Sequence, residues 1–291
     1  VLTENPQVVL GTGGYVSAPV SLAARLLGRP LILQEQNSVP GLANKLLSRM
    51  ASEVHLSFIE ARSYFSRRDH LKITGNPVRA HILSGDREAA LREFKLQAGK
   101  PTLFVFGGSL GAARINEAAL EMLRRLKDRV DVQCLLQTGR ADYDRVRAVV
   151  EQEHLPAAVF PFVRKMHMGY AAADLVVSRA GAMSLAEIAV CGLPAILVPY
   201  PYAAHDHQTD NAANLVDRGA AVLIPDAELT GERLAKEVAH LLSDRQTLSR
   251  MSSNARLFAR PDAAARIARA LVRWAEGGAE PAEEPAEGEG R

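Results

Sequence analysis

The chemistry in this sequence gathers around Ser178-Arg179-Ala180-Gly181-Ala182-Met183-Ser184-Leu185-Ala186-Glu187. The stretch follows an apolar run, Asp174 to Ser178, that reads as a buried parallel strand. It leads into a helical pattern closed by Cys191-Gly192-Leu193-Pro194. Free N–H groups at such a helix start, with the positive end of its dipole, suit a phosphate. Glu187, about a turn further in, can accept two hydroxyls. A neutral sugar ring and a diphosphate would use both halves at once. A second strand and glycine loop, Pro101 to Phe106 and then Gly107-Gly108-Ser109-Leu110-Gly111-Ala112, offers the Ser109 hydroxyl and further N–H groups to the same kind of anion.

Polar residues also stand at strand ends, where an α/β sheet places its ligands. Gln34-Glu35-Gln36-Asn37 follows the strand Leu31 to Leu33 and precedes Pro40, which opens a helix running to about Met50. Asn37 is either a ligand contact or the cap of that helix. Gly75-Asn76-Pro77-Val78-Arg79 closes the first half of the chain. Pro77 restricts Asn76, and Arg79 is either a guanidinium reaching across an interdomain cleft or a solvated linker residue. Gly11-Thr12-Gly13-Gly14-Tyr15 lies between the strand Gln7 to Leu10 and a helix over Val16 to Leu27. It lacks the GxGxxG spacing and the acidic residue that NAD binding requires. Its glycines either admit a bulky partner close to the backbone or simply make a tight turn.

Two clusters imitate metal sites. His205, Asp206, His207 and Asp210 precede a helix, and read better as a capped helix start or as polar ligand contacts with Gln208 pointing into the cleft. Asp142 and Asp144 have the spacing some metal-dependent sugar transferases use, but they stand at a helix N-terminus, which favours acids by itself. Neither a metal nor a cofactor is expected. Sugar transfer with inversion also needs a general base. The carboxylate beside the early glycine loop is Glu35, which serves either as that base or only to orient its own loop, so no base is identified.

These residues need elements to hold them. A chain of 291 residues, 47% hydrophobic, can bury a sizeable core and favours two domains. Strands alternate with helices of about 10 to 15 residues, the pattern of a parallel sheet covered on both faces. The boundary falls near residue 80, giving one domain over 1–79 and a second over 80–260. The last helix, residues 263–275, follows Pro261 and returns to the first domain, with Trp274 as packing. Residues 276–291 carry six acids and one base and read as a disordered tail, which leaves +7 on the preceding 275 residues. That body suits anionic substrates or an anionic membrane surface, and no nucleic-acid motif accompanies it. Cys134 and Cys191 lack CxxC spacing and read as small core residues. No run of 18 apolar residues and no signal peptide is present. The chain reaches a strand within its first ten residues, whereas a doubly wound domain normally has further strands beside such a unit. The first domain is therefore expected to be incomplete.

Taken together, Gly11-Thr-Gly-Gly-Tyr-Val-Ser17, Glu35-Gln-Asn37, Gly75-Asn-Pro-Val-Arg79, Gly107-Gly-Ser-Leu-Gly-Ala112, Arg179-Ala-Gly-Ala-Met-Ser-Leu-Ala-Glu187 and His207-Gln208 resemble the MurG family. Its members are undecaprenyl-diphospho-muramoyl-pentapeptide N-acetylglucosaminyltransferases, and the likeness runs from residue 5 to 275. It implies the GT-B architecture, two Rossmann-like domains facing across a cleft. It implies UDP-N-acetylglucosamine as donor, with Glu187 on the ribose hydroxyls, and Ser109 and the backbone of Ala182, Met183, Ser184, Leu185 and Ala186 on the diphosphate. Val163 would offer main-chain hydrogen bonds to uracil, Gln208 would contact the sugar hydroxyls, and Asn37 and Arg79 would reach the donor from the first domain and the hinge. Lipid I would meet the first domain at Gly11, Thr12, Gly13, Gly14, Tyr15, Ser17 and Glu35, at the cytoplasmic face of the membrane. Family members begin with a further glycine-rich unit ending in a histidine, usually taken as the base, and carry a basic, apolar membrane patch soon after it. This sequence reads as lacking that N-terminal portion, with the base expected before Val1 and turnover impaired relative to donor binding. A UDP-sugar epimerase of the same fold, or a non-catalytic nucleotide-sugar-binding protein, remains an alternative.

Overall fold

The computed structural model describes residues 3–203 and 206–277; His205 and the acidic tail from residue 278 lie outside them. Among the described residues the strands form two sheets, each wholly parallel. The first has the order β1 (Val9–Gly11), β2 (Leu31–Glu35), β3 (Glu53–Leu56), β4 (Leu71–Ile73). Helix α1 (Ser17–Leu26) joins β1 to β2, and α2 (Leu42–Leu47) runs into a 3-10 turn before β3. All five residues of β2 are buried. Gln34 and Glu35, which sequence reading assigns to a loop, are its last two residues. Their polar ends are tolerated because each finds partners: Gln34 Nε2 donates to Ser57 Oγ at 3.1 Å and to Asn76 Oδ1 at 3.0 Å.

The second sheet has the order β10-β9-β8-β5-β6-β7. Its strands are β5 (Thr102–Phe106), β6 (Gln133–Gln137), β7 (Ala157–Phe160), β8 (Leu175–Ser178), β9 (Ala195–Leu197) and β10 (Ala221–Leu223). Helices α3 (Arg87–Glu93), α4 (Ala113–Leu126), α5 (Tyr143–Gln152), α6 (Met166–Ala172), α7 (Ala182–Cys191), α8 (His207–Val216), α9 (Gly231–Ser243) and α10 (Arg245–Phe258) cover it. The alternation along β5 divides two cores, as the period of a strand requires. Phe104 and Phe106 join Tyr170, Leu185 and Ile188 on one face. Leu103 and Val105 join Ile115, Leu123, Leu234 and Val238 on the other. The chain runs outward from β5 to β7 and then returns to place β8 on the opposite side of β5. Strand order thus reverses between β5 and β8, and at their C-terminal ends lie Gly107–Ala112 and Arg179–Gly181, the crevice where open α/β sheets bind ligands.

Helix α11 (Ala263–Ala275) crosses back to the first sheet. Trp274 Nε1 donates to Glu53 Oε2 at 3.0 Å, and Arg273 pairs with the same carboxylate. Where the chain passes between the sheets, Gly75 has φ +87°, and a Cβ there would lie 2.5 Å from Arg260 Cβ, so only glycine fits. The expectation of an incomplete first domain is corrected by this arrangement. Its strands make one continuous parallel sheet, Leu31, Leu33, Val54, Leu56, Phe65 and Leu71 form a core of their own, and α11 adds cover from the far end of the chain.

Candidate active site in the interdomain cleft

Helix α7 begins at Gly181 with no side-chain cap, so its first N–H groups face the cleft without a protein side chain to satisfy them. Glu187 lies on the same helix, 7% exposed. Its Oε2 accepts a hydrogen bond from the Tyr170 hydroxyl at 3.0 Å, and its Oε1 stands 3.3 Å from Arg79 Nη2. Burial, and then the adjoining Glu187 charge, push the Tyr170 pKa well above the ordinary tyrosine value, so the phenol remains a donor. Arg79 reaches Glu187 from the segment that leaves the first sheet. The guanidinium of Arg179 does not face the cleft as a free cation: it bonds Asp226 Oδ1 at 2.6 Å and the carbonyls of Val198 and Pro199, fixing the end of β9.

The loop after β5 is tied to two neighbours. Gln137 Nε2 donates to the Gly108 carbonyl at 3.0 Å, while its Oε1 accepts from Val163 N–H at 2.8 Å. Of the two main-chain groups of Val163 expected to meet a base, the N–H is thus already committed to Gln137. Gly111, at φ +81°, lies so close to the next loop that a Cβ would sit 2.0 Å from the Thr138 carbonyl oxygen. Ser109 is exposed on this loop and, with Leu110, Arg140, Ala141 and Phe162, lines an open hollow beside it.

Across the cleft, Asn37 does not cap α2, whose N-cap is Gly41. Its side-chain oxygen instead accepts from Asn211 Nδ2 of α8 at 3.1 Å. Asn211, fully buried, also accepts from the Ser38 N–H and Oγ–H, each at 2.9 Å. Asn76 makes a second bridge, donating to the Ala182 carbonyl at 3.3 Å and the Gln36 carbonyl at 3.1 Å. Glu35 is saturated by Asn37 N–H, Gly41 N–H and Asn44 Nδ2, at 3.0, 3.2 and 2.8 Å, the geometry of a loop organiser. Gln36 Nε2 donates to the Thr12 carbonyl at 2.9 Å, joining this loop to the Gly11-Thr12-Gly13-Gly14-Tyr15 turn, where Ser17 Oγ bonds the Gly14 carbonyl. Tyr15 is largely exposed there.

Gln208, in the first turn of α8, accepts from Tyr200 N–H at 3.0 Å. Asp206 accepts from Thr209 Oγ1 at 2.8 Å, and the described residues hold no group of His, Cys, Asp or Glu arranged for a metal ion. Asp142 stands at the N-cap of α5 without a capping bond. Arg145 at 2.7 Å and Asn116 at 2.8 Å hold its carboxylate, and the Arg145 bond lowers its pKa below the usual carboxylate value. Sequence reading missed Tyr170, Asn211 and Gln137, and did not assign Asn76 a part. Their one signal is a polar side chain inside an otherwise apolar or glycine-rich stretch.

Two parallel sheets, joined through Gly75 and meeting across a cleft into which an uncapped helix N-terminus opens, have the architecture of the GT-B class of sugar-transferring enzymes. Residues 102–267 match the glycosyltransferase family 28 C-terminal domain, and residues 1–56 match the glycosyltransferase family 28 N-terminal domain. The chain is 47% identical over 272 residues to a UDP-N-acetylglucosamine--N-acetylmuramyl-(pentapeptide) pyrophosphoryl-undecaprenol N-acetylglucosamine transferase of Chlorobium limicola, covering 94% of this chain and 74% of that one. It is 44% identical over 269 residues to the transferase of the same name from Desulforamulus reducens, covering 90% and 72%. The crystal structure of Acinetobacter baumannii MurG superposes with a TM-score of 0.76 at 33% identity, over 94% of this chain and 75% of that one. A UDP-N-acetylglucosamine 2-epimerase superposes at TM-score 0.69 with 15% identity, over 96% and 75%, a likeness of fold alone. The chain belongs to the MurG family of glycosyltransferase family 28. The expectation that it lacks the family's N-terminal portion is corrected by the match of residues 1–56 to the N-terminal domain, and impaired turnover loses its ground with it.

Proposed function

We infer that this chain is an inverting glycosyltransferase that moves N-acetylglucosamine from UDP-N-acetylglucosamine to the muramoyl 4-hydroxyl of lipid I, giving lipid II and UDP. The observation that carries the reading is the buried Glu187 carboxylate on the same helix whose uncapped N-terminus opens the cleft, with Arg79 meeting it from the other side. Residues 80–260 form the donor domain and 1–79 the acceptor domain. Glu187 takes the ribose hydroxyls, and Ser109 with the Ala182-Met183-Ser184-Leu185-Ala186 backbone holds the diphosphate through N–H groups and the helix dipole, without a cofactor. Val163 meets uracil through its free carbonyl, Gln208 reads the sugar hydroxyls, and Asn37 and Arg79 complete the donor site. Lipid I approaches Gly11 to Ser17. Glu35 shapes that side, and no side chain is assigned as the base.

No helix of the described residues is long and apolar enough to cross a membrane. Peripheral attachment at the cytoplasmic face is supported by the outer surface of α1 and α2. On and beside these helices Val16 (90% exposed), Leu26 (78%), Val20, Leu42 and Leu46 are exposed, and the same segments carry Arg25, Arg29, Lys45 and Arg49, an apolar and basic combination suited to anionic lipid. The test is transfer from UDP-N-acetylglucosamine to a lipid I analogue in EDTA, beside calorimetric titration of wild type and Glu187→Gln with the donor. Lipid II formation, with donor affinity falling about tenfold or more in the variant, is expected. Well-folded protein that neither binds the donor nor transfers overturns the reading.

A further inference from the structure

Tyr170 is a buried polar group of the cleft to which the reading above gives no part in the reaction. It projects from α6, 2% exposed, with its ring edge-on to Phe104 (centroids 5.7 Å apart) and Phe106 (6.1 Å). Phenylalanine would fill that slot equally well, so the hydroxyl is a cost of desolvation unless it is bonded. Among the described residues the hydroxyl is bonded by donating to Glu187 Oε2. The terminal torsion of a glutamate is broad, and a carboxylate left to itself samples many orientations of its lone pairs. Here one oxygen is fixed from below by a rigid, permanently protonated donor. The other meets Arg79, whose side chain is 55% exposed and free to move aside for a ligand.

We propose that Tyr170 is a positioning residue that fixes the plane of the Glu187 carboxylate so that it accepts the 2′- and 3′-hydroxyls of the donor ribose, making the site selective for ribonucleotides. This rests on Glu187 as the ribose acceptor. Tyr170 then acts through Glu187 alone, touching neither uracil nor phosphate. Its removal is felt by ligands that carry ribose hydroxyls and by no others.

The experiment is calorimetric titration of wild type, Tyr170→Phe, Glu187→Gln and the double variant with UDP and with 2′,3′-dideoxy-UDP. Tyr170→Phe should weaken UDP about tenfold and leave dideoxy-UDP within about twofold, and should add less than about twofold to Glu187→Gln. In turnover its KM for UDP-N-acetylglucosamine rises by the same factor while kcat stays within about twofold. A partly unfolded variant lowers the number of sites for both nucleotides alike and leaves the ratio of their dissociation constants unchanged, so that ratio reads the proposal independently of stability. Equal weakening of both nucleotides by Tyr170→Phe overturns it. So does wild-type UDP affinity in Tyr170→Phe when Glu187→Gln is weakened, a result that leaves the role of Glu187 standing. If Glu187→Gln itself keeps the full preference for UDP, the ribose reading and the role of Tyr170 fall together.

Discussion

Asn211→Ala tests how the two halves of the molecule are held. Asn211 is fully buried, and its side chain bonds the Ser38 N–H, the Ser38 hydroxyl and Asn37 Oδ1 at 2.9, 2.9 and 3.1 Å. Truncation strands the N–H of Ser38, a residue only 3% exposed, at a cost of about 1 to 3 kcal/mol. The hydroxyl can rotate and the partly exposed Asn37 oxygen can recover a water, so their bonds add about 1 kcal/mol more, for a total near 2 to 4 kcal/mol. Ser38→Ala removes one hydroxyl bond and should cost about 1 kcal/mol, and the two changes together should cost less than their sum. The urea midpoint of each variant measures this, with kcat/KM for transfer read in parallel. A loss under about 0.5 kcal/mol for Asn211→Ala would refute the reasoning, because it would mean that water or a small shift of α8 satisfies Ser38 without cost.

Gly111→Ala must place a methyl 2.0 Å from the Thr138 carbonyl oxygen at φ +81°, whereas Gly99→Ala, at φ +79° with nothing within 4 Å, bears only the backbone penalty. The first should cost about 2 to 4 kcal/mol and the second about 1, as read from their urea midpoints. His55 is buried on β3, and burial, the largest cause, lowers its pKa to about 4; Glu53 opposes the shift and Arg266, Arg273 and Lys72 support it. Folding with a depressed histidine pKa is favoured fully above the unfolded value of about 6.5, and that stability is lost as pH falls from there to about 4. The span of about 2.5 pH units is worth roughly 3 kcal/mol, and unfolding midpoints at pH 7, 5.5 and 4.5 should show that slope in wild type and a flatter one in His55→Leu.

Much of the frame is legible in the residues because it depends on local rules. Ala113–Leu126, Met166–Ala172, Arg245–Phe258 and Ala263–Ala275 form helices where apolar spacing places them, and the glycine turn between β8 and α7 follows from strand, loop and helix in succession. Glu187 could be singled out because its place on α7 is a matter of helical spacing. Arg79, which meets it, could be singled out too, but Tyr170, Asn211 and Asn76 could not. Tyr170 meets it from another helix, Asn211 meets Ser38 across 173 residues, and Asn76 meets Ala182 across 106, contacts set by how the sheets dock. Gln34 and Glu35 look like loop residues by type, yet the strand keeps them because buried donors and acceptors await them. The return of residues 263–275 to the first domain is legible as well, but that the four strands Val9–Gly11, Leu31–Glu35, Glu53–Leu56 and Leu71–Ile73 close into one sheet with its own core is a matter of pairing that the order of elements does not display.

That crossing of α11 sets the order in which the molecule can be finished. During synthesis the second sheet has every strand it needs once β10 has emerged, and can consolidate alone. The first sheet, made earlier, must wait. Until α11 is released, Glu53 lacks both the cover of that helix and the bonds from Trp274 and Arg273 that it has in the finished fold. The domain translated first is therefore the one completed last, and the closing of the cleft is deferred until almost the whole donor half has been made.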